Sequence, residues 1–304
     1  MTSDLETVSR CDLCSGTDTA RARTCRESDT PSLIAEMRGR RIFSIMRCKA
    51  CGLAFVTPRY VRDKLLRLYG DAYFDGSDTT SGRARALFWN RNTRIAGYRA
   101  EVALFRKYLP RGKVFDAGCG PGWFADALGP DYAVTGGDWS ARAVALAMER
   151  SACREAHVLD IEQDHLGEAR YDGAVMIQVL DHLRAPLAAL KNVARALLPG
   201  GVLLIARLPN FTAPLARLFG NDFQLLAPNH LYYFTRSTIR NALHATGLEC
   251  LAIRYPFFST PFFTPSWFVR APFAVARRLC GGRPKPPPGP GNVMSVVAIK
   301  RKEH

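Results

Sequence analysis

Nowhere in this 304-residue chain do 18 apolar residues follow one another without a proline or a charge, which excludes an ordinary membrane-spanning helix. The first residues carry Asp4 and Glu6 and lack the apolar core of a secretory leader, so a cytoplasmic location is expected. Acids are scarce beside bases, 27 against 42, and the formal charge of +15 favours anionic partners. The basic residues are nevertheless scattered among acids and apolar residues, with one late cluster and no dense tract, so charge alone does not argue for nucleic acid. A disulfide framework is also disfavoured, because nine cysteines are an odd number in a chain without a leader. An apolar fraction of 47% is ample for one α/β core plus a small module.

Four of the cysteines form two tight pairs, Cys11-Asp-Leu-Cys14 and Cys48-Lys-Ala-Cys51. Each pair lets one turn offer two thiolates to a single ion, and two such turns complete a tetrahedron that suits zinc. Four sulfurs leave no open coordination position, so the metal is expected to be structural, and its binding energy would be folding energy for the module. Gly16 and Gly52 are expected to relax the two turns. Ile42 to Met46 is a weakly alternating run suited to a hairpin strand beside the ion, and Cys25 is a spare, buried thiol.

Beyond this module, Leu53 to Pro58 reads as a strand, Val61 to Tyr69 as a short amphipathic helix, and Ala84 to Tyr108 as one or two helices. Tyr69, Tyr73, Phe74 and Trp89 either line a cleft or simply pack these helices. Lys113 to Ala117 is a buried-strand candidate, followed by Gly118-Cys119-Gly120-Pro121-Gly122 and then by the helical spacing of Trp123 to Leu128. A strand, a glycine turn and a helix bring backbone N–H groups and a positive helix end close to a ligand. Trp123 stands where a dinucleotide-binding run has its third glycine. Asp116 would repel a phosphate, yet it can accept from the α-amino group of an amino-acid-bearing nucleotide such as S-adenosylmethionine.

The second strand, Tyr132 to Gly137, ends at Asp138, placed to accept from ribose hydroxyls, with Trp139 against an adenine face and Ser140 capping the helix from Ala141. A short third strand, His157 to Leu159, leads to Asp160 and Ile161, an acceptor for the adenine amino group and an apolar cover. The fourth, Tyr171 to Ile177, is almost continuously apolar, as in a sheet covered on both faces, and leads to Gln178-Val-Leu-Asp-His182-Leu183. Pro199-Gly200-Gly201 launches a fifth strand to Ala206, Leu248 to Tyr255 supplies a sixth, and Val293 to Ile299 the last.

From Lys113 to Ala206 the chain resembles the class I S-adenosylmethionine-dependent methyltransferases, and with its four-cysteine module it is similar to bacterial small-molecule members of that family. The resemblance implies an α/β fold with a seven-stranded Rossmann-like methyltransferase sheet and an N-terminal zinc-ribbon-like module. It divides the chain into the module at 1–58, a helical linker and cleft-covering segment at 59–109, and the methyltransferase domain at 110–304, with insertions at 209–234 and 256–292. It implies S-adenosylmethionine as cofactor, held by Asp116, Gly118, Cys119, Gly120, Gly122, Asp138, Trp139, Asp160, Ile161 and Gln178, and a structural zinc on Cys11, Cys14, Cys48 and Cys51. Larger sugar C-methyltransferases with a similar module carry a further C-terminal domain that this chain is too short to contain, and Asp181 stands where many relatives have glutamate before the histidine.

The acceptor should lie outside the carboxyl ends of the strands, within reach of Gln178 to His182, of Pro209 to Tyr233 as a partly ordered lid, and of the insertion after Tyr255. His230 and His182 are the candidate bases, because imidazole titrates near neutrality, although hydrogen bonding to neighbouring loops would also explain them. The aromatic run Phe257 to Val269, followed by Arg270, Arg277, Arg278, Arg283 and Lys285, suits a membrane interface or lipid-linked substrate, and equally a homodimer contact or a pocket lid. The expected reaction is methylation of a small-molecule acceptor, a hydroxyl of a natural product, sugar or lipid-linked intermediate. RNA methylation, a non-catalytic cofactor-binding scaffold, and a non-methylating use of the sulfonium are the alternatives; against RNA, no Asn-Pro-Pro-aromatic sequence follows the fourth strand.

Overall fold

The described residues build a thiol-bearing antiparallel sheet and a larger, mostly parallel one, beside a two-stranded pair. The computed structural model describes residues 4–29, 39–70, 73–74, 91–258 and 263–302; Trp89, Pro261 and Phe262 lie outside them. At the N-terminal end are β1 (Leu5–Glu6), β2 (Thr19–Arg26), β3 (Ile42–Cys48), β4 (Ala54–Val56) and β5 (Arg59–Tyr60), followed by α1 (Arg62–Leu68), α2 (Arg91–Gly97) and α3 (Arg99–Tyr108). The main domain continues with β6 (Gly112–Ala117), α4 (Trp123–Leu128), β7 (Tyr132–Asp138), α5 (Ala141–Arg150), β8 (Glu155–Val158), β9 (Tyr171–Ile177), α6 (Pro186–Ala196) and β10 (Leu197–Pro209). It closes with α7 (Pro214–Phe219), β11 (Tyr232–Tyr233), α8 (Arg236–Ala245), β12 (Leu248–Arg254), α9 (Trp267–Leu279) and β13 (Val293–Lys300).

Seven strands form the main sheet in the order β12-β13-β10-β9-β6-β7-β8. Strands β6 to β10 pair in parallel, while β13 runs antiparallel to both β10 and β12. This is the seven-stranded Rossmann-like sheet expected from the resemblance. Its chain reversal between β6 and β7 on one side and β9 on the other places the ends of β6, β7 and β9 around one crevice. The third strand lies at Glu155–Val158, two residues before the expected His157 to Leu159. It is the sheet edge and largely exposed, so burial does not impose an apolar signature on it. Strand β10 begins at Leu197 rather than Val202, because Pro199-Gly200-Gly201 makes a register shift within it instead of a turn before it. Helix α9 starts at Trp267, inside the aromatic run.

The small sheet has the order β11-β4-β3-β2, and its fourth strand comes from the main domain. Tyr232 and Tyr233 pair with Phe55 and Ala54, so the 209–234 insertion is stitched to the thiol-bearing module rather than lying loose as a lid. Strand β2 escaped the sequence because its run Thr-Ala-Arg-Ala-Arg-Thr-Cys-Arg is mostly solvent-facing. One buried cluster includes Phe43, Ile45, Phe55 and Tyr60 of the module and Leu203, Ile205 and Leu243 of the main domain. Polar ties cross the same seam. Glu6 binds Arg59 at 2.7 Å and Arg184 at 2.6 Å. Asp12, inside the first cysteine pair, accepts from Leu187 N at 3.0 Å and so caps the start of α6.

The four thiols converge. Cys11 and Cys51 Sγ are 3.4 Å apart and Cys14 and Cys48 Sγ 3.5 Å, with all four within 4.8 Å of one another. A tetrahedral zinc with bonds of about 2.3 Å sets its sulfurs ~3.8 Å apart, so the set is able to hold that ion. Backbone N–H groups of Leu13 and Cys14 point at the Cys11 sulfur, and those of Ala50 and Cys51 at the Cys48 sulfur. Of the two glycines, Gly52 relaxes its turn as expected and Gly16 serves differently. Gly52 takes a left-handed φ of 82°, whereas in the first turn Ser15 does so, at 59°. Gly16 is needed for room, since a Cβ there would stand 3.2 Å from Cys14 Sγ and 3.4 Å from Cys48 Sγ.

Candidate active site

A cavity of about 360 Å³ opens where β6, β7 and β9 end, and its wall carries nearly every residue singled out from the sequence. Asp116, Gly118, Cys119, Gly120, Asp138, Trp139, Asp160, Ile161 and Gln178 line it, and so do His182 and His230. Gly122 does not. A Cβ there would collide with Ser151 Oγ at 2.1 Å, so this glycine, with φ 77°, lets α4 start against the following loop and faces no ligand. Gly120 behaves in the opposite way: its φ is 51°, and a Cβ would meet only Phe74, at 3.8 Å, on the cavity side.

Asp116 is 2% exposed, and its Oδ2 has no hydrogen-bond partner. Burial, with Asp138 nearby, pushes its carboxyl up to about 7. Asp138 is also held above the usual carboxylate range by burial, opposed by the N–H groups of Ser140, Gly120 and Trp139. Its two oxygens accept from Ser140 N and Gly120 N at 3.0 Å each, which fixes the glycine loop to the tip of β7 while leaving lone pairs toward the cavity. Asp160 is engaged more fully than expected: Arg62 of α1 donates to Oδ2, and Glu162 N to Oδ1 at 2.9 Å. Gln178 ends β9 with φ 58°, a left-handed turn that bends the chain into the cavity wall.

Opposite the glycine loop stands a cluster that sequence reasoning found only in part. Tyr69 of the segment after α1, Asp181 and His182 after β9, and Asn229 and His230 before β11 meet there. His182 Nδ1 is 2.8 Å from Asn229 O, and His230 Nδ1 is 2.8 Å from Leu225 O. A carbonyl only accepts, so each Nδ1 carries a proton and donates, which turns each Nε2 toward Asp181 and the cavity. Asp181 Oδ2 lies 3.7 Å from His182 Nε2 and 3.8 Å from His230 Nε2, and Asp181 Oδ1 is buried without a partner. Burial lowers His230 to about 4, with Asp181 resisting and His182 contributing. Tyr69 Oη is 2.9 Å from His182 Nδ1, and its ring leans on Trp139 at 5.7 Å.

The protein belongs to the methyltransferase-domain family. The family model matches residues 89–253, more than half of the chain. Among curated relatives, the ubiquinone biosynthesis O-methyltransferase of Coxiella burnetii is 25% identical over 188 residues, covering 56% of this chain and 78% of the relative. Among solved structures, a chain of the Haloferax volcanii complex between the Trm112 methyltransferase activator and a methyltransferase aligns with a TM-score of 0.56 at 18% identity, covering 80% of this chain and 100% of that one. The Burkholderia thailandensis 1,6-didemethyltoxoflavin-N1-methyltransferase aligns at 0.50 and 19% identity, covering 84% and 97%. Both likenesses concern the fold.

This methyltransferase is an enzyme that uses S-adenosylmethionine, and its own residues fit that group. The unpartnered, buried Asp116 oxygen offers an acceptor to an ammonium, and the open side of Gly120 lets a ligand approach the backbone. None of the described residues after His230 lines the cavity, so the described part of the insertion after Tyr255 contributes nothing to its wall. His157, His165 and His244 are exposed and belong to no such cluster. Two groups had no usable sequence signal. Asp181 was visible only as a departure from glutamate. Arg207, with φ 59° inside β10, is buried, pairs with Glu101 at 2.8 Å and covers the Tyr98 ring at 4.5 Å, which pins α2 and α3 over the cavity.

Proposed function

We propose that this methyltransferase methylates a hydroxyl oxygen of a small-molecule acceptor, with His230 as the base. The observation that carries the reading is one cavity with two chemically unlike walls: a buried carboxylate and glycine loop on one side, and two imidazoles beside a shared carboxylate on the other. When bound, S-adenosylmethionine supplies an activated methyl group. Asp116 would hold its ammonium, Asp138 its ribose hydroxyls, Gly118, Cys119 and Gly120 its amino-acid end, and Trp139, Ile161, Asp160 and Gln178 its base and the rim beside it.

On the other wall His230 Nε2 takes the acceptor's hydroxyl proton, and Asp181 stabilises the imidazolium that results. Low intrinsic basicity at His230 makes that carboxylate necessary, and it makes a readily ionised hydroxyl a better acceptor than an aliphatic one. His182 orients the acceptor through its own Nε2 and ties Tyr69 to Asn229. An oxygen acceptor agrees with the O-methyltransferase relatives in ubiquinone biosynthesis, and the cavity is of a size for a small ligand. In the same reading, Cys11, Cys14, Cys48 and Cys51 hold a structural zinc that supports the module.

Incubation with methyl-labelled S-adenosylmethionine and fractionated metabolites of the source cell, followed by mass analysis, tests this reading. A labelled small molecule with its new methyl on oxygen is expected, at a yield that collapses in His230→Ala. Label found on RNA, with none on a metabolite, would overturn it.

A further inference from the structure

Helix α9 shows the protein one stripe and solvent another. Trp267, Ala271, Ala274 and Arg278 recur at helical spacing on the inner side. Ala271 and Ala274 are buried, and Arg278 donates to Leu218 O at 3.1 Å and to Asp222 Oδ2 at 3.4 Å. The outer stripe is Phe268, Val269, Pro272, Phe273, Ala276 and Leu279. Of these, Phe268 is 61% exposed, Val269 74%, Phe273 65% and Leu279 73%, and Phe258 of the preceding segment adds another ring at 64%. A solvated surface helix carries charge on that stripe, and contiguous apolar exposure of this kind marks a contact surface.

Charge selects the occupant. From Cys250 to Lys302 the sequence contains no aspartate or glutamate. Arg270 and Arg277, both exposed, border the apolar stripe on one side. A second copy meeting this face across a two-fold axis would bring the same cations together without a carboxylate from either helix. An anionic lipid surface supplies what is missing. Phosphate headgroups meet the guanidinium groups, while Phe268, Val269, Phe273 and Leu279 enter the acyl boundary. At 13 residues α9 is too short to span a bilayer, and no described helix is long and apolar enough to cross one.

We infer that α9 is an in-plane anchor that docks the enzyme on anionic phospholipid membranes. Through its Arg278, joined by Arg283 just beyond its end, it grips Asp222, in the segment that continues to Asn229 and His230, so the anchor is tied to the acceptor wall of the cleft.

Sedimentation of the full chain with vesicles of phosphatidylcholine and phosphatidylglycerol in equal amounts, and separately with phosphatidylcholine alone, tests the inference. Binding to the anionic vesicles and not to the neutral ones is expected, weakening at high salt. The double variants Phe268→Ser/Phe273→Ser and Arg270→Glu/Arg277→Glu should each reduce partitioning about tenfold or more, with melting temperatures equal to the parent's. No sedimentation with anionic vesicles would overturn the inference, as would equal sedimentation of both variants and the parent. So would a concentration-dependent dimer in light scattering that the phenylalanine variant dissolves and that does not bind vesicles.

Discussion

On one wall of the cleft Asp116, the glycine loop, Asp138 and Trp139 come from residues 116–139, at the ends of two adjacent parallel strands, with Asp160, Ile161 and Gln178 beside them. The other wall gathers Tyr69, His182, Asn229 and His230 from three segments far apart in the chain, with Asp181 buried behind the two imidazoles. The first wall is complete once β6 and β7 pair, because Asp138 fastens the glycine loop directly. The second depends on docking. Its segments are held by the module through the β11–β4 pairing, the Asp12 cap on α6 and the Glu6–Arg184 pair. In the proposed reading, the cofactor side thus rests mainly on local structure, while the acceptor side rests on long-range contacts.

Metal removal should separate the two walls most strongly. Structural zinc contributes ~10–16 kcal/mol to folding of small modules. Stripping the metal with a chelator, or Cys48→Ser, should therefore unfold the module and abolish methyl transfer. Calorimetry should still find S-adenosylmethionine bound with a dissociation constant within a few-fold of the parent's. Simultaneous loss of both would show that the shared buried core makes one cooperative unit and would break the comparison.

His230→Ala comes next, with an expected fall in kcat of about 10²–10⁴-fold and unchanged cofactor affinity. Asp181→Asn should carry His230 below its present value of about 4, because the carboxylate is what resists burial there; an NMR titration of the ring reads this directly. An unchanged titration would leave Asp181 as a packing residue only.

The same division governs what could be read from the sequence. Asp116, the glycine turn and Asp138 lie within one strand-turn-helix-strand stretch, where spacing along the chain is spacing in the fold. The Asp181–His182–His230 cluster is fixed by an insertion that pairs with the module, and no periodicity records a two-residue strand such as Tyr232–Tyr233. Both histidines were picked out by residue type, whereas the carboxylate between them and the Tyr69 hydroxyl needed the tertiary structure. Gly122 failed for the converse reason. It satisfies the loop pattern, but its requirement comes from Ser151 packing beneath the turn.

Asp116→Asn should weaken S-adenosylmethionine binding by ~2–3 kcal/mol, the scale of a buried hydrogen bond to a charged group. It should also change how stability depends on pH. An unfolded aspartate titrates near 3.9 and the folded one at about 7. Stability from this group is thus complete below pH ~4 and is lost as pH rises through about 7. The asparagine variant, free of cofactor, should melt higher than the parent above neutral pH by the equivalent of ~2–4 kcal/mol, and should converge with it in acid. Affinity in the parent runs the other way, because an ammonium favours the ionised carboxylate: binding should weaken as pH falls below about 7.

The smallest effects should come from two glycines in one turn, and they sharpen the contrast between scaffold and ligand contact. Both have left-handed φ, so alanine at either costs ~1 kcal/mol of backbone energy. At Gly122 the new Cβ also collides with Ser151, so Gly122→Ala should lower the melting temperature by the larger amount and leave cofactor affinity nearly unchanged. At Gly120 the Cβ finds no protein atom closer than Phe74 at 3.8 Å and instead occupies ligand space. Gly120→Ala should therefore lose only that backbone cost in stability and bind S-adenosylmethionine more weakly. Equal losses of affinity in the two variants would mean that the loop acts as one rigid body, and that the position of a glycine relative to the cavity does not separate structural from ligand-facing roles.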